Sequence, residues 1–203
     1  AYMMTGSHHL YNYLPTKHEK WLTMIKQEII DSGLIVDILN AKTMEDVFRL
    51  LQGCSFLGSF LAYQYTIDMN YSPYINFSEN DFVKAGIGAI RGIKKCFLCY
   101  GNKCEDAIWY VKEHFNDLQK RYGYTSFHPL LGHEPTLIDL QNCFCETDKY
   151  LRAKMPELRI GNVRIKQKYM PHTDPIQFFF PPKWNIVEMY KYKPIVVPTL
   201  FDL

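Results

Sequence analysis

The sequence predicts a mainly α-helical fold that ends in an extended, proline- and aromatic-rich tail. Three observations predict it. Apolar residues recur at three- and four-residue steps from Thr16 to about Met155, caps and glycine stops bracket those runs, and both signals cease after Gly161. The 203 residues are expected to form one helical domain over 1–203. Within it, a helical core spans 16–160 and includes a hairpin at 79–97, and 161–203 forms an extended arm and wrapping tail.

The opening through Pro15 reads as irregular. From Thr16, the residues Trp21, Leu22, Ile25, Ile29 and Ile30 mark a helix that stops at Ser32-Gly33. Thr43 caps a second, carrying Met44, Val47, Phe48, Leu50 and Leu51 to Gly53. The stretch Ser55–Met69 is apolar almost all round, which marks a central buried helix. Gln64 and Asp68 lie one turn apart on it. A buried carboxylate without a partner is costly, so Asp68 is expected to be hydrogen-bonded or to face a cavity; a structural bond and a pocket wall both satisfy this. Asn70-Tyr71-Ser72-Pro73 breaks the helix, and Ser78 is expected to cap another beginning at Glu79. Further helices run from Glu105 to Tyr122, closed by Gly123, and from Thr136 to Met155, closed by Pro156. Beyond Gly161, Val163, Ile165 and Gln167 alternate with Arg164, Lys166 and Lys168, the pattern of a short strand or extended arm. The prolines from Pro171 to Pro194 exclude regular helix through the tail.

Two segments carry candidate chemistry. Residues Asp81–Phe97 read as a helix, a tight Gly86-Ile87-Gly88 turn and a second helix, the layout of a helix–hairpin–helix. Its glycines would admit a phosphate close to the backbone, and the new helix would offer free N–H groups at its positive dipole end. Gly86, Gly88, Arg91, Lys94 and Lys95, with Arg164, Lys166 and Lys168 of the arm, are the expected DNA-binding residues. An ordinary helical corner with a glycine turn fits the same residues. No strand precedes the glycines and no Gly-Lys-Ser/Thr follows, which disfavours a P-loop kinase.

On the Thr136–Met155 helix, Leu137, Leu140, Phe144, Leu151 and Met155 form an apolar stripe. Asp139, Asn142, Glu146 and Lys149 fall within about 80° on another face, while Asp148 points toward the side of Leu137. A catalytic face and a solvated stripe with a Glu146–Lys149 pair remain alternatives. The spacing of Cys96, Cys99 and Cys104, with Cys143 and Cys145, matches no common metal pattern, so neither metal nor cofactor is expected.

Net charge is only +2, but basic residues cluster between Lys84 and Lys103 and between Lys149 and Lys168, which suits a polyanion-facing side. Fifteen Tyr and thirteen Phe supply core and also flat faces on which an unstacked base can lie. No run approaches the about 18 apolar residues of a membrane span and no signal-peptide order is present, so a soluble intracellular protein is expected.

The segments Phe56–Gln64 with Asp68–Ser72, Gly86–Phe97 and Asp139–Tyr150, together with Arg164–Gln167 and Phe180–Trp184, resemble the α-glutamyl/putrescinyl thymine pyrophosphorylase family. The resemblance implies a helix-hairpin-helix DNA-glycosylase-like fold concerned with hypermodified pyrimidines in DNA. The same unit is similar to the helical domain accompanying kinases that act on 5-hydroxymethyluracil in DNA. The expected activity is extrusion of a modified base and cleavage of its N-glycosidic bond. Asp68, Asp139, Glu146, Asp148 and Lys149 are the catalytic candidates, and Gln64, Tyr71 and Asn142 the substrate-binding ones, converging on one pocket. A non-catalytic module that binds modified DNA, and a transferase acting on an activated base, are the alternatives.

Overall fold

The computed structural model describes residues 8–124, 126–129, 133–159 and 180–186. Among these it is mainly helical, with no β-strand. The Arg164–Lys168 arm lies outside the described residues.

Local capping starts three of the helices. Thr16 Oγ1 accepts the Glu19 N–H, and the Glu19 carboxylate accepts the Thr16 N–H at 3.0 Å, opening α1 (Lys17–Met24). This helix runs on as a π-helical coil over Ile25–Asp31 and stops at Gly33, whose φ of 81° favours glycine. The wider coil carries Glu28, whose carboxylate accepts the Tyr11 hydroxyl at 2.6 Å and the Ser55 N–H at 2.7 Å. Burial alone would raise the Glu28 pKa, but the bonds from Ser55 and Tyr11 outweigh it and hold the group ionised below its ordinary range. A short α2 (Leu34–Leu39) follows, which the sequence reading did not anticipate. The Thr43–Asp46 capping box opens α3 (Met44–Gln52), which buries Met44, Val47, Phe48 and Leu51 at helical spacing.

The central helix, α4 (Ser59–Asn70), begins four residues later than expected. The intervening Cys54–Gly58 segment turns through Phe56 at φ 66°, an uncommon conformation for a bulky side chain. Its ring gains a stacked contact with Trp21, centroids 5.5 Å apart, beside Tyr11. These rings and α3 close one side of the core over α4.

The helix expected from Glu79 does not form, so the first arm of the helix–hairpin–helix is absent. Its backbone donors are taken by distant side chains instead of by a helical ladder. Asn70 accepts the Phe77 N–H at 2.8 Å and donates to Phe77 O, Ala85 N–H goes to Glu105 Oε1, and Gly86 N–H to Gln141 Oε1. The chain therefore enters α5 (Ile87–Cys96) from an extended segment. Two shorter helices, α6 (Glu105–Glu113) and α7 (Phe115–Arg121), replace the single one expected, the break falling at His114.

The longest helix, α8 (Leu137–Lys154), packs most extensively against α5. Gly88 and Gly92 make that approach possible. A Cβ on Gly88 would fall 2.4 Å from Cys145 Sγ, and one on Gly92 would fall 2.0 Å from the Phe144 carbonyl oxygen. The last described element is a 3-10 turn, Pro182–Trp184, which docks beside the end of α4.

Candidate functional site

The predicted catalytic residues do not share one pocket. Asp148 is buried in the α5–α8 interface, with Lys95 Nζ 2.6 Å from its Oδ1 and Arg152 Nε 3.1 Å from its Oδ2. Asp148 and Lys95 are thus partners within the interface, with side chains only 2% and 3% exposed. Glu146 and Lys149 form an exposed ion pair one turn apart, and the Glu146 hydrogen bond raises the lysine pKa, which disfavours a neutral nucleophilic amine. Asp68 stands on the rim of an apolar cavity of about 240 Å³ walled by Trp21, Met24, Ile38 and Met69, and burial pushes its pKa up. Gln64 is half-buried on the same helix, and Asn142 is exposed and accepts the Gln141 amide at 2.8 Å.

The glycines also have other work than admitting phosphate. Gly86 has its N–H bonded to Gln141 and its Cα face against Phe60, and Gly88 sits under Cys145. Of the basic residues on α5, Lys94 is exposed and Arg91 half-buried. Arg164, Lys166 and Lys168 lie outside the described residues.

A different cleft, of about 470 Å³, opens where the loop after α4 meets the start of α8. Its walls include Glu79, Asn80, His133, Thr136, Lys183 and Trp184. Asn70 fixes the loop through Phe77, and Ser78 Oγ accepts the Asn80 N–H, which turns Glu79 and Asn80 toward the cleft. Thr136 stands at the capped start of α8, where the Asp139 carboxylate accepts its N–H at 2.8 Å and its hydroxyl at 2.9 Å. Lys183 reaches across to donate to Asn70 O at 2.9 Å and Phe77 O at 3.1 Å, and burial lowers its pKa.

Aromatic rings line this place. The Trp184 indole stacks on His133 with centroids 3.7 Å apart, meets Tyr71 edge-on at 5.9 Å, and donates its N–H to Glu79 Oε2 at 2.7 Å. Burial and then the charges of Glu79 and Asp139 push the Tyr71 phenol well above its ordinary range, so it stays protonated as a donor. Three buried atoms lining the cleft, Glu79 Oε1, Asn80 Oδ1 and His133 Nε2, have no well-formed hydrogen bond, although the Tyr71 phenol is a hydrogen-bonding neighbour of the Glu79 carboxylate. Each such atom costs about 1–3 kcal/mol relative to a satisfied one.

Of the residues picked from sequence, Tyr71 adjoins this cleft and Asp139 reaches it electrostatically. Glu79, Asn80, His133, Lys183 and Trp184 were not picked. The only signal for them was the Phe180–Trp184 segment of the family resemblance, since Glu79 and Trp184 are 105 residues apart. Among the described residues no group of His, Cys, Asp and Glu is placed to hold a metal, and no helix is long and apolar enough to cross a membrane.

A family model described as the helical domain of 5-hmdU DNA kinase matches residues 1–160. No curated protein and no solved structure matches.

Proposed function

The chain belongs to the family of the 5-hmdU DNA kinase helical domain, and on that premise we propose that it is a module that binds DNA carrying modified pyrimidines. It receives one extruded base in the Glu79–Trp184 cleft. The observation that carries this reading is the meeting of stacked aromatic rings with buried polar atoms that lack partners, in a cavity of about 470 Å³. Extruding a base costs a few kcal/mol, and stacking on an aromatic side chain returns about 1–3 kcal/mol. Arg91 and Lys94 supply contacts to the DNA backbone, which position the duplex without reading sequence. Arg164, Lys166 and Lys168 are proposed to extend that grip. The sequence holds no P-loop motif, so this reading assigns phosphoryl transfer to a separate nucleotide-binding unit.

Titrating the chain into a fluorescent duplex with one modified pyrimidine, across a salt series, tests the proposal. Saturable binding that weakens with salt and that Arg91→Ala with Lys94→Ala reduces is the expected result. Absence of binding at low salt would sink it.

A second reading makes the chain itself act on the base, by N-glycosidic cleavage or by the group displacement that the likeness to the pyrophosphorylases implies. It is favoured by one observation, that the Glu79 and Asp139 carboxylates both bear on Tyr71. Two carboxylates beside an extruded nucleoside suit stabilisation of a cationic sugar or activation of water. Chromatography of the products from modified DNA separates the readings: free base signals cleavage, an altered base signals displacement, and intact DNA leaves the binding module alone.

A further inference from the structure

Leu98, in the loop between α5 and α6, is fully exposed, more so than any other large apolar side chain among the described residues. A lone exposed leucine needs no explanation. This one is held out by its neighbours. The Phe97 ring before it rests against Tyr110 and Phe144, centroids 6.4 and 5.9 Å away, and Tyr100 after it packs on the core. The Asp106 carboxylate then accepts the N–H groups of Asn102 at 2.9 Å and Lys103 at 3.1 Å, closing the loop through Gly101 at φ 85°. Leu98 therefore cannot turn inward without breaking these contacts. Beside it, Lys94 and Lys103 are exposed, and Lys94 stands near enough to Cys104 for its charge to act on that thiol. The two carboxylates of this corner are occupied, Asp106 by the loop backbone and Glu105 by Lys84 and Ala85. Tyr110 is itself exposed and stacks on His114 with centroids 4.4 Å apart. An apolar tip set between exposed lysines and beside flat rings is complementary to a base stack flanked by phosphates.

We propose that Leu98 is a wedge that enters the DNA base stack at a step separate from the extruded base. The proposal rests on the reading that the Glu79–Trp184 cleft receives that base. The spacing between the two follows from α8. The cleft lies at Thr136, where α8 begins, whereas Phe97 meets Phe144 and Lys95 meets Asp148, both well along the helix. At about 1.5 Å per residue the tip lies about 12–18 Å from the cleft along the helix axis, or about four to five base pairs of duplex. Arg91 and Lys94 sit on α5 between the two ends, where the intervening phosphates would pass. Insertion of an apolar side chain unstacks one step and bends the duplex, and the bend brings both ends of so short a stretch onto one protein face.

The experiment uses duplexes with one 5-hydroxymethyluracil and a 2-aminopurine placed in turn at each position across the footprint, since 2-aminopurine brightens when it unstacks. With the full chain bound, a rise of roughly threefold is expected at one step about four to five base pairs from the modified pyrimidine. Leu98→Ala should abolish that rise and Leu98→Met should keep it, while thermal melts of both variants match the wild type because this side chain lies outside the core. Lys94→Ala with Lys103→Ala should weaken binding and reduce the slope of log affinity against log salt by about two. A distant rise that is missing from the wild-type complex, or that Leu98→Ala leaves undiminished, overturns the wedge, while the extruded-base reading survives if 2-aminopurine beside the modified pyrimidine still brightens. A distant rise with no change beside the modified pyrimidine overturns that reading instead. Absence of binding overturns both.

Discussion

Lys95 and Asp148 form a buried ion pair between α5 and α8, 2.6 Å apart, with side chains only 3% and 2% exposed. Removing Asp148 takes a carboxylate partner from both Lys95 and Arg152, and removing Lys95 leaves Asp148 with half of its countercharge in the interior. Asp148→Asn and Lys95→Met are each expected to lower stability by about 3–5 kcal/mol in urea unfolding. Pairing Lys95→Met with Asp148→Leu should recover part of the loss and no more, since the apolar pair replaces the Lys95–Asp148 contact but takes from the buried Arg152 its Asp148 partner. Additive losses in the double variant would contradict this.

The α5–α8 contact depends on missing side chains as much as on charges. Gly88→Ala collides with a side-chain atom, Cys145 Sγ, so it should cost about 1–3 kcal/mol and be partly rescued by Cys145→Ala. Gly92→Ala collides with the Phe144 backbone carbonyl, so no substitution at Phe144 should rescue it. A thermal-melt cycle over these variants checks both statements.

Acid should weaken the join between the extended segment and α6. Glu105 accepts the Ala85 N–H at 3.1 Å and lies 2.9 Å from Lys84 Nζ. Burial would raise its pKa, but the bonds from Lys84 and Ala85 outweigh burial and depress it below the ordinary 4.5. A depressed carboxylate contributes stability above its unfolded value and loses it as pH falls through the folded one. Wild type should therefore exceed Glu105→Gln in melting temperature at neutral pH, and the gap should close below pH 4.5. A gap constant from neutral pH to strong acid would show that the carboxylate charge is not the cause.

Exposed residues on α8 should be silent. Glu146→Gln and Lys149→Ala remove a solvated pair worth about 0.3–0.5 kcal/mol. Neither is expected to change DNA affinity beyond the weak effect of one surface charge. A tenfold loss in either would restore this face as a site.

The helix starts were legible because their determinants are local. Thr16–Glu19, Thr43–Asp46 and Thr136–Asp139 each close within three residues, and the end of the first long helix follows from Gly33. The segment after Ser78 was not legible. Its N–H groups find Glu105 and Gln141 from 20 and 55 residues away, and a pattern of capping and glycine inside one window carries no trace of them. The glycines of α5 misled for a related reason: a residue that admits a phosphate and one that admits a neighbouring helix are the same residue type.

The site was less legible than the fold. Helical period set Asp139, Asn142, Glu146 and Lys149 on one face of α8 and put Asp148 on the side of Leu137, but period alone does not say which of these groups does chemistry. Asp148 went inward with Arg152 one turn on, while Glu146 and Lys149 stayed out. The cleft draws Tyr71, Glu79, His133 and Trp184 from three separated stretches, and only tertiary packing brings those together.

The π-helical coil at Ile25–Asp31 makes this part of the chain intolerant of length change. A π turn amounts to one residue more than an α turn in the same rise, so deleting a single residue there would let the ladder relax to ordinary geometry and rotate the downstream residues by about 100°. The Glu28 carboxylate would then swing away from the Tyr11 hydroxyl and from the Ser55 N–H, which directly precedes Phe56 and its φ of 66°. Homologues that shorten this helix are expected to carry a glycine at the Phe56 position and an apolar residue in place of Glu28.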